Sequence, residues 1–201
     1  MRRAEQKQEA RRRILDAAAR QLREEGLAGA GVQRVMEEAG LTHGGFYAHF
    51  DSKQQLVGEA LKTALERARE RLLAGGGTPG RERRGRILRR YLSRAHRDGP
   101  GAGCPLPSTS ADVARAPAAV RRAYDDELRK IIACFEAELA DLSAEDVHAH
   151  AIGTLALCVG SLLLARATPD PVLSDDILNS CRRFAAGAEE TTEHEHQNRR
   201  L

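Results

Sequence analysis

The sequence predicts an all-α protein, and three observations carry that expectation. Ala, Leu, Arg and Glu are plentiful and aromatics form only 3% of the chain, with no Trp, a composition that favours helix. Apolar residues recur at three- and four-residue spacing from Val32 to Phe184, the period of one helix face. No stretch alternates apolar and polar residues as a half-buried strand does. At 201 residues the chain can bury a sizeable core in one or two small domains. The punctuation divides it into an N-terminal three-helix unit (1–53), a connecting helix and linker (54–78), a larger helical domain (79–190) and a polar, flexible tail (191–201).

The chain opens with Arg2, Arg3, Lys7, Arg11, Arg12 and Arg13, ahead of the first apolar turn. Two readings stand: a basic arm lying along phosphates, or a solvated, frayed helix start. Val32, Val35 and Met36 then form the stripe of a short helix. Gly40 follows, where a helix ends in the left-handed region. Leu41 plugs the core between two helices, and Thr42 occupies an N-cap position. The next helix, His43 to Phe50, is about two turns long, with Phe46 and Phe50 facing inward. Ser52-Lys53-Gln54-Gln55 fits a capping box. It opens a helix carrying Leu56, Val57, Ala60, Leu61, Ala64, Leu65, Ala68 and Leu72.

Helix, tight turn and short second helix are the plan of a DNA-reading helix-turn-helix. Gly44 and Gly45 cost about 1 kcal/mol each against Ala in a helix, and their missing side chains let a backbone approach a duplex. Thr42, Tyr47 and His49 can donate to phosphates, with His43 on the same side. Lys53 adds a charge beside free backbone amides. The competing account is an ordinary helical hairpin whose glycines permit tight packing.

These residues resemble the DNA-binding domain of TetR (tetracycline-repressor) family regulators. The resemblance rests on Ala39-Gly40-Leu41-Thr42, Gly45, Phe46-Tyr47, His49-Phe50, Ser52-Lys53 and Leu56, with Ile14-Leu15-Asp16-Ala17-Ala18 and Gly26 upstream. It covers roughly residues 9 to 65. Phe46 stands where the family carries a smaller aliphatic residue, Asp51 replaces a frequent proline, and Gly31 stands where a Ser or Thr cap is common. The resemblance implies a dimeric repressor, its DNA-binding domain followed by an all-helical ligand-binding and dimerisation domain. It also implies double-stranded operator DNA, a small-molecule effector and a second copy of the chain as partners.

Beyond the break at Gly75–Gly80, helices read as 82–97, 108–115, 117–140, 144–167 and 174–189. Ser108 or Ser110 caps the second of these. Ser143 with Asp146 starts the fourth, and Ser174 precedes acids at the start of the fifth. The helix 144–167 is apolar around most of its circumference and needs cover on several sides. The internal core is one cover. A second copy is another, with Ile152, Leu163, Ile177 and Phe184 at the interface. A regulatory pocket is expected among Tyr91, Leu128, Ile131, Ile132, Phe135, Leu155 and Val159, residues that otherwise fill a solid core.

Cys104, in Gly-Cys-Pro, is either a reactive thiol that triggers DNA release or a small apolar anchor. Four widely spaced cysteines without CxxC pairs suit a reducing cytosol. No secretory signal is visible and no apolar run is long enough for a bilayer. Ala149 to Ala167 reads as a buried core helix. The expected location is cytoplasmic, with no membrane partner. His148 and His150 diverge on a helix, and His194-Glu195-His196 lies in the tail, so no metal or other cofactor is expected. No carboxylate pair, nucleophile motif or phosphate-cradling loop emerges, and no catalysis is expected. The formal charge of +3 argues neither for nor against nucleic acid.

Overall fold

The protein is described by a computed structural model covering residues 2–74, 76–139 and 144–198; the side chains of 2, 144–145 and 188–198 are not described. Among the described residues run nine α-helices and two 3-10 segments, with no strand. They cluster in two compact units, Met1–Arg71 with Gly99–Lys130, and Leu72–Asp98 with Ile131–Leu201. Gly99–Lys130, which chain order places in the larger domain, thus gathers with the N-terminal helices.

In the first unit α1 (Arg2–Gly29) is helical from Arg2, so the basic arm is part of a helix. Its arginines are partly paired: Arg12 bridges Glu9 and Asp16, and Arg11 reaches Glu59 at 2.6 Å. The helix is interrupted at Gly26, with φ 75° and ψ −165°, a region essentially restricted to glycine. There α6 (Leu106–Val113) packs against α1. Asp112 Oδ2 accepts from the Leu27 N–H at 3.0 Å, and the Ser108 hydroxyl donates to the Leu22 carbonyl at 3.0 Å. A Cβ on Gly26 would lie 2.6 Å from Asp112 Oδ2. Gly26 is therefore required both for its backbone angle and for the approach of α6.

Ser108 and Ser110 do not cap that helix, because it starts before them with Pro105 at the N-cap position. The Ser110 hydroxyl bonds the Leu106 carbonyl and Tyr124 instead. Cys104 is buried, like its neighbours Gly103, Pro105 and Leu106.

The second unit holds α4 (Arg81–Tyr91), α5 (Arg94–Asp98), the end of α7 (Ala118–Ala137), α8 (Ala144–Ala167) and α9 (Pro171–Asn198). The single helix expected over 82–97 is two. Leu92, at φ −91° and ψ 60°, breaks it, and the Ser93 hydroxyl caps the new start by accepting from His96 N–H at 3.2 Å. α9 begins at Pro171 rather than 174, because the Asp170 carboxylate accepts from Val172 N–H at 2.9 Å and proline suits a first helical position. Ser174 thus lies inside the helix and donates to the Ala165 carbonyl at 2.6 Å, tying α9 to α8. α9 continues to Asn198, through the segment expected as a tail. The Ser143 cap and the side chains of His194–His196 lie outside the described residues.

α8 departs from the expectation of a buried core helix. Ala151, Leu155, Cys158, Leu162 and Ala165 are buried, yet Ile152, Leu163 and Leu164 are 42%, 50% and 57% exposed. Over 22 residues, Asp146–Ala167, it is long and apolar enough to cross a membrane by length and composition alone, contrary to the sequence reading. The exposed stripe is what a partial core leaves uncovered.

Candidate nucleic-acid interface

The helix-turn-helix is built by α2 (Val32–Glu38), a 3-10 segment (His43–Ala48) and the start of α3 (Lys53–Leu73). Val35 and Met36 are buried, as their spacing requires. The turn is closed by two backbone bonds, Gly40 N–H to Glu37 O at 3.0 Å and Leu41 N–H to Met36 O at 2.9 Å. With Gly40 at φ 69°, this is a Schellman ending, which satisfies the last carbonyls of α2.

The second helix is not the two-turn α-helix expected over His43 to Phe50. Bonds from Gly45 N–H to Thr42 O and from His49 N–H to Phe46 O make it 3-10, and Ala48 is its last residue. Two adjacent glycines support an α-helix poorly, and the tighter winding suits a short piece. Thr42 holds the N-cap position through its backbone, but its hydroxyl makes no capping bond. It is thus uncommitted within the segment and exposed.

Phe46 and Phe50 anchor the segment. They are 2% and 1% exposed, stacked with centroids 5.8 Å apart. The Arg11 guanidinium lies 4.6 Å over the Phe50 ring and pairs with Glu59, so α1 clamps the segment against α3. Opposite this floor, Thr42, His43, Gly44 and Tyr47 are exposed, Tyr47 at 73%. A Cβ on Gly44 would meet nothing within 4 Å, whereas one on Gly45 would touch Met36 and Thr42 at 3.7 Å. Gly44 therefore serves no internal packing, which removes the hairpin-packing explanation for it.

Lys53 is exposed and begins α3. The Ser52 hydroxyl accepts from Gln55 N–H at 3.1 Å, and Gln55 Oε1 accepts from Asp51 N–H at 2.7 Å. This is the expected capping box with its return bond shifted by one residue. It leaves the first turn of α3 with free amides and a lysine, an anion-facing end. His49 differs from the rest. It is half-buried, its Nδ1 is buried without a partner, and desolvation, then Lys7 and Arg11, hold its pKa below the usual 6.5. It is a neutral donor at physiological pH, not a cation for phosphate.

The other predicted residues lie apart from this surface. Tyr91, Ile131, Phe135 and Leu155 are buried in the second unit, Ile132 and Val159 are half-buried there, and Leu128 belongs to the first unit. Ile177 is half-buried on α9 and Phe184 is 68% exposed. Sequence reasoning missed the ring-cation clamp of Arg11 on Phe50, for which the basic cluster was the only available signal.

Comparison with known proteins agrees with this geometry. Residues 14–60 match the family described as bacterial regulatory proteins, tetR family. Among curated proteins none matches significantly. A TetR-family transcriptional regulator from Cytophaga hutchinsonii superposes with a TM-score of 0.71 at 24% identity, covering 88% of this chain and 93% of that one. The reduced form of E. coli NemR gives 0.74 at 23%, covering 88% and 94%. A regulator from Agrobacterium tumefaciens gives 0.76 at 17%, covering 90% and 98%. These likenesses show a common all-helical fold over nearly the whole length. The match over residues 14–60 thus falls on the N-terminal helix-turn-helix, and the whole chain shares the all-helical fold of these solved regulators.

Proposed function

We propose that this protein is a cytoplasmic, dimeric transcriptional repressor, released from its operator by a small-molecule effector. The observation that carries the reading is the exposed set Thr42, His43, Gly44, Tyr47 and Lys53, raised on the buried Phe46–Phe50 stack. Such a set has no internal structural use. One helix-turn-helix makes few contacts, so a dimer reading two half-sites about 34 Å apart supplies the affinity. The exposed apolar stripe of α8 (Ile152, Leu163) with Phe184 of α9 supports that dimer, since large apolar patches mark interaction surfaces. No catalytic role is assigned to any residue.

The effector is apolar or amphipathic, as Tyr91, Ile131, Ile132, Phe135, Leu155 and Val159 of the second unit are. By linkage, operator DNA weakens its binding by the factor with which it weakens DNA binding. At a hundredfold excess over its dissociation constant it stabilises the fold by about 2.7 kcal/mol. A thermal-shift screen of apolar metabolites, aromatic acids and antibiotics identifies it, provided that hits also release DNA. The alternative trigger, oxidation or alkylation of Cys104, is disfavoured by that thiol's 8% exposure. Peroxide-induced release that persists in Cys104→Ser excludes it. The decisive experiment is a mobility shift at moderate salt with DNA flanking the protein's own coding sequence and with a selected pool. Specific retardation supports the proposal, and its absence from both ends it.

A further inference from the structure

Along one face of α1 runs an open groove of about 590 Å³, lined by Arg13, Asp16, Arg20 and Arg23, by Glu38 of α2 and by Arg67 of α3. Its two carboxylates are already engaged. Asp16 pairs with Arg67 at 2.5 Å and Arg12 at 3.0 Å. Glu38 pairs with Arg20 at 2.6 Å and accepts from Gln21 at 2.9 Å. Among the described residues Arg13 and Arg23 have no carboxylate partner.

Arg23 is the more telling of the two. It is 7% exposed. Its Nε donates to the Gly101 carbonyl, while its Nη1 is buried and meets no acceptor. Burial, then the nearby charges of Arg71 and Arg67, push its pKa down to about 10. Buried charges are ordinarily paired, and arginines that repel one another at a concave surface are stabilised by a shared anion. The planar fork of arginine matches phosphate and carboxylate geometry.

We propose that this groove is a binding site for a small oxyanion of two or more charges, of the phosphate or pyrophosphate kind, seated beside Arg23 and Arg67. Arg20, already oriented by Glu38, flanks the seat, and Arg13, seven residues further along α1 from Arg20, extends the positive field. The site is separate from the exposed DNA-facing set and does not rest on the proposed function.

The test is isothermal titration of the full chain with sodium pyrophosphate, ionic strength being held constant with chloride. The expected result is saturable binding of one anion per chain, with a matching rise in Tm. Arg23→Met abolishes it, and Arg67→Gln, at a half-exposed position, weakens it at least about fivefold. Arg129→Gln, on an exposed part of α7, leaves it unchanged. If Arg23→Met does not fold, the Arg67→Gln isotherm decides. A response that does not saturate, that chloride reproduces, or that Arg67→Gln leaves at full strength overturns the proposal.

Discussion

At the residue scale, the proposed reading surface combines side chains that the fold does not need with neighbours that it does. Lys53 is exposed at the mouth of α3. Lys53→Ala weakens binding to all DNA sequences alike and lowers the slope of log affinity against log salt by about one unit. A salt series with specific and random duplexes measures it. Gly44 has open space where a Cβ would stand. Gly44→Leu changes stability by no more than about 0.5 kcal/mol but lowers operator affinity tenfold or more, about 1.4 kcal/mol. Normal affinity in that variant would refute the close approach of backbone to DNA. His49 behaves oppositely, being held by the fold in its neutral form. Its folded pKa lies below its unfolded one, so its contribution to stability is full above pH 6.5 and is lost as pH falls through the folded value. Tm measured from pH 7.5 down to about 5 declines less in His49→Gln than in the parent, and an NMR titration places the ring's pKa below that of an exposed histidine. The sequence singled out all of these positions, because residue type and spacing set Gly44 and His49 apart from the inward Phe46 and Phe50 and put Lys53 at the mouth of the next helix. The neutrality of His49 was not legible, since it arises from burial beside Lys7 and Arg11, residues distant in the chain.

At the scale of elements, local signals located the helices better than they located their ends. Gly40 reads as a stop from sequence and is one, because its positive φ is a property of the glycine itself. Ser52 reads as a cap and is one, because its partner Gln55 is three residues away. Ser174 reads as the start of the last helix and is not. Asp170 and Pro171 start α9 one turn earlier, and Ser174 is drawn to the Ala165 carbonyl of the adjacent helix. The break at Leu92 was likewise hidden, because neither Leu92 nor Ser93 is a strong helix breaker. Gly26 is the sharpest case. From sequence it is one residue of the family resemblance with no stated task, yet it holds an angle open essentially to glycine alone while Asp112 and Ser108 approach it. Gly26→Ala should lower stability by about 1–3 kcal/mol, measured by urea unfolding. An unchanged midpoint would mean that α1 straightens there without cost.

At the scale of the whole molecule, the proposed dimer rests on the apolar surface of α8 and α9. Phe184, Leu163 and Ile152 are too exposed for core residues, and a charge placed among them opposes association. Phe184→Glu raises the dimer dissociation constant at least tenfold, about 1.4 kcal/mol, with helical content unchanged. Light scattering across a dilution series and circular dichroism read the two effects, and a dimer that persists through the dilution would move the interface elsewhere. The sequence by itself determined the helical class, the helix-turn-helix and its exposed residues, because helix period, turn chemistry and capping act within a few residues of each other. The tertiary structure alone decided which apolar residues stay uncovered, that Gly99–Lys130 joins the N-terminal helices, and that Arg23 is buried without a carboxylate. Those outcomes depend on segments far apart in the chain, such as Leu27 with Asp112 and Arg23 with Gly101, whose meeting follows from packing rather than from local spacing.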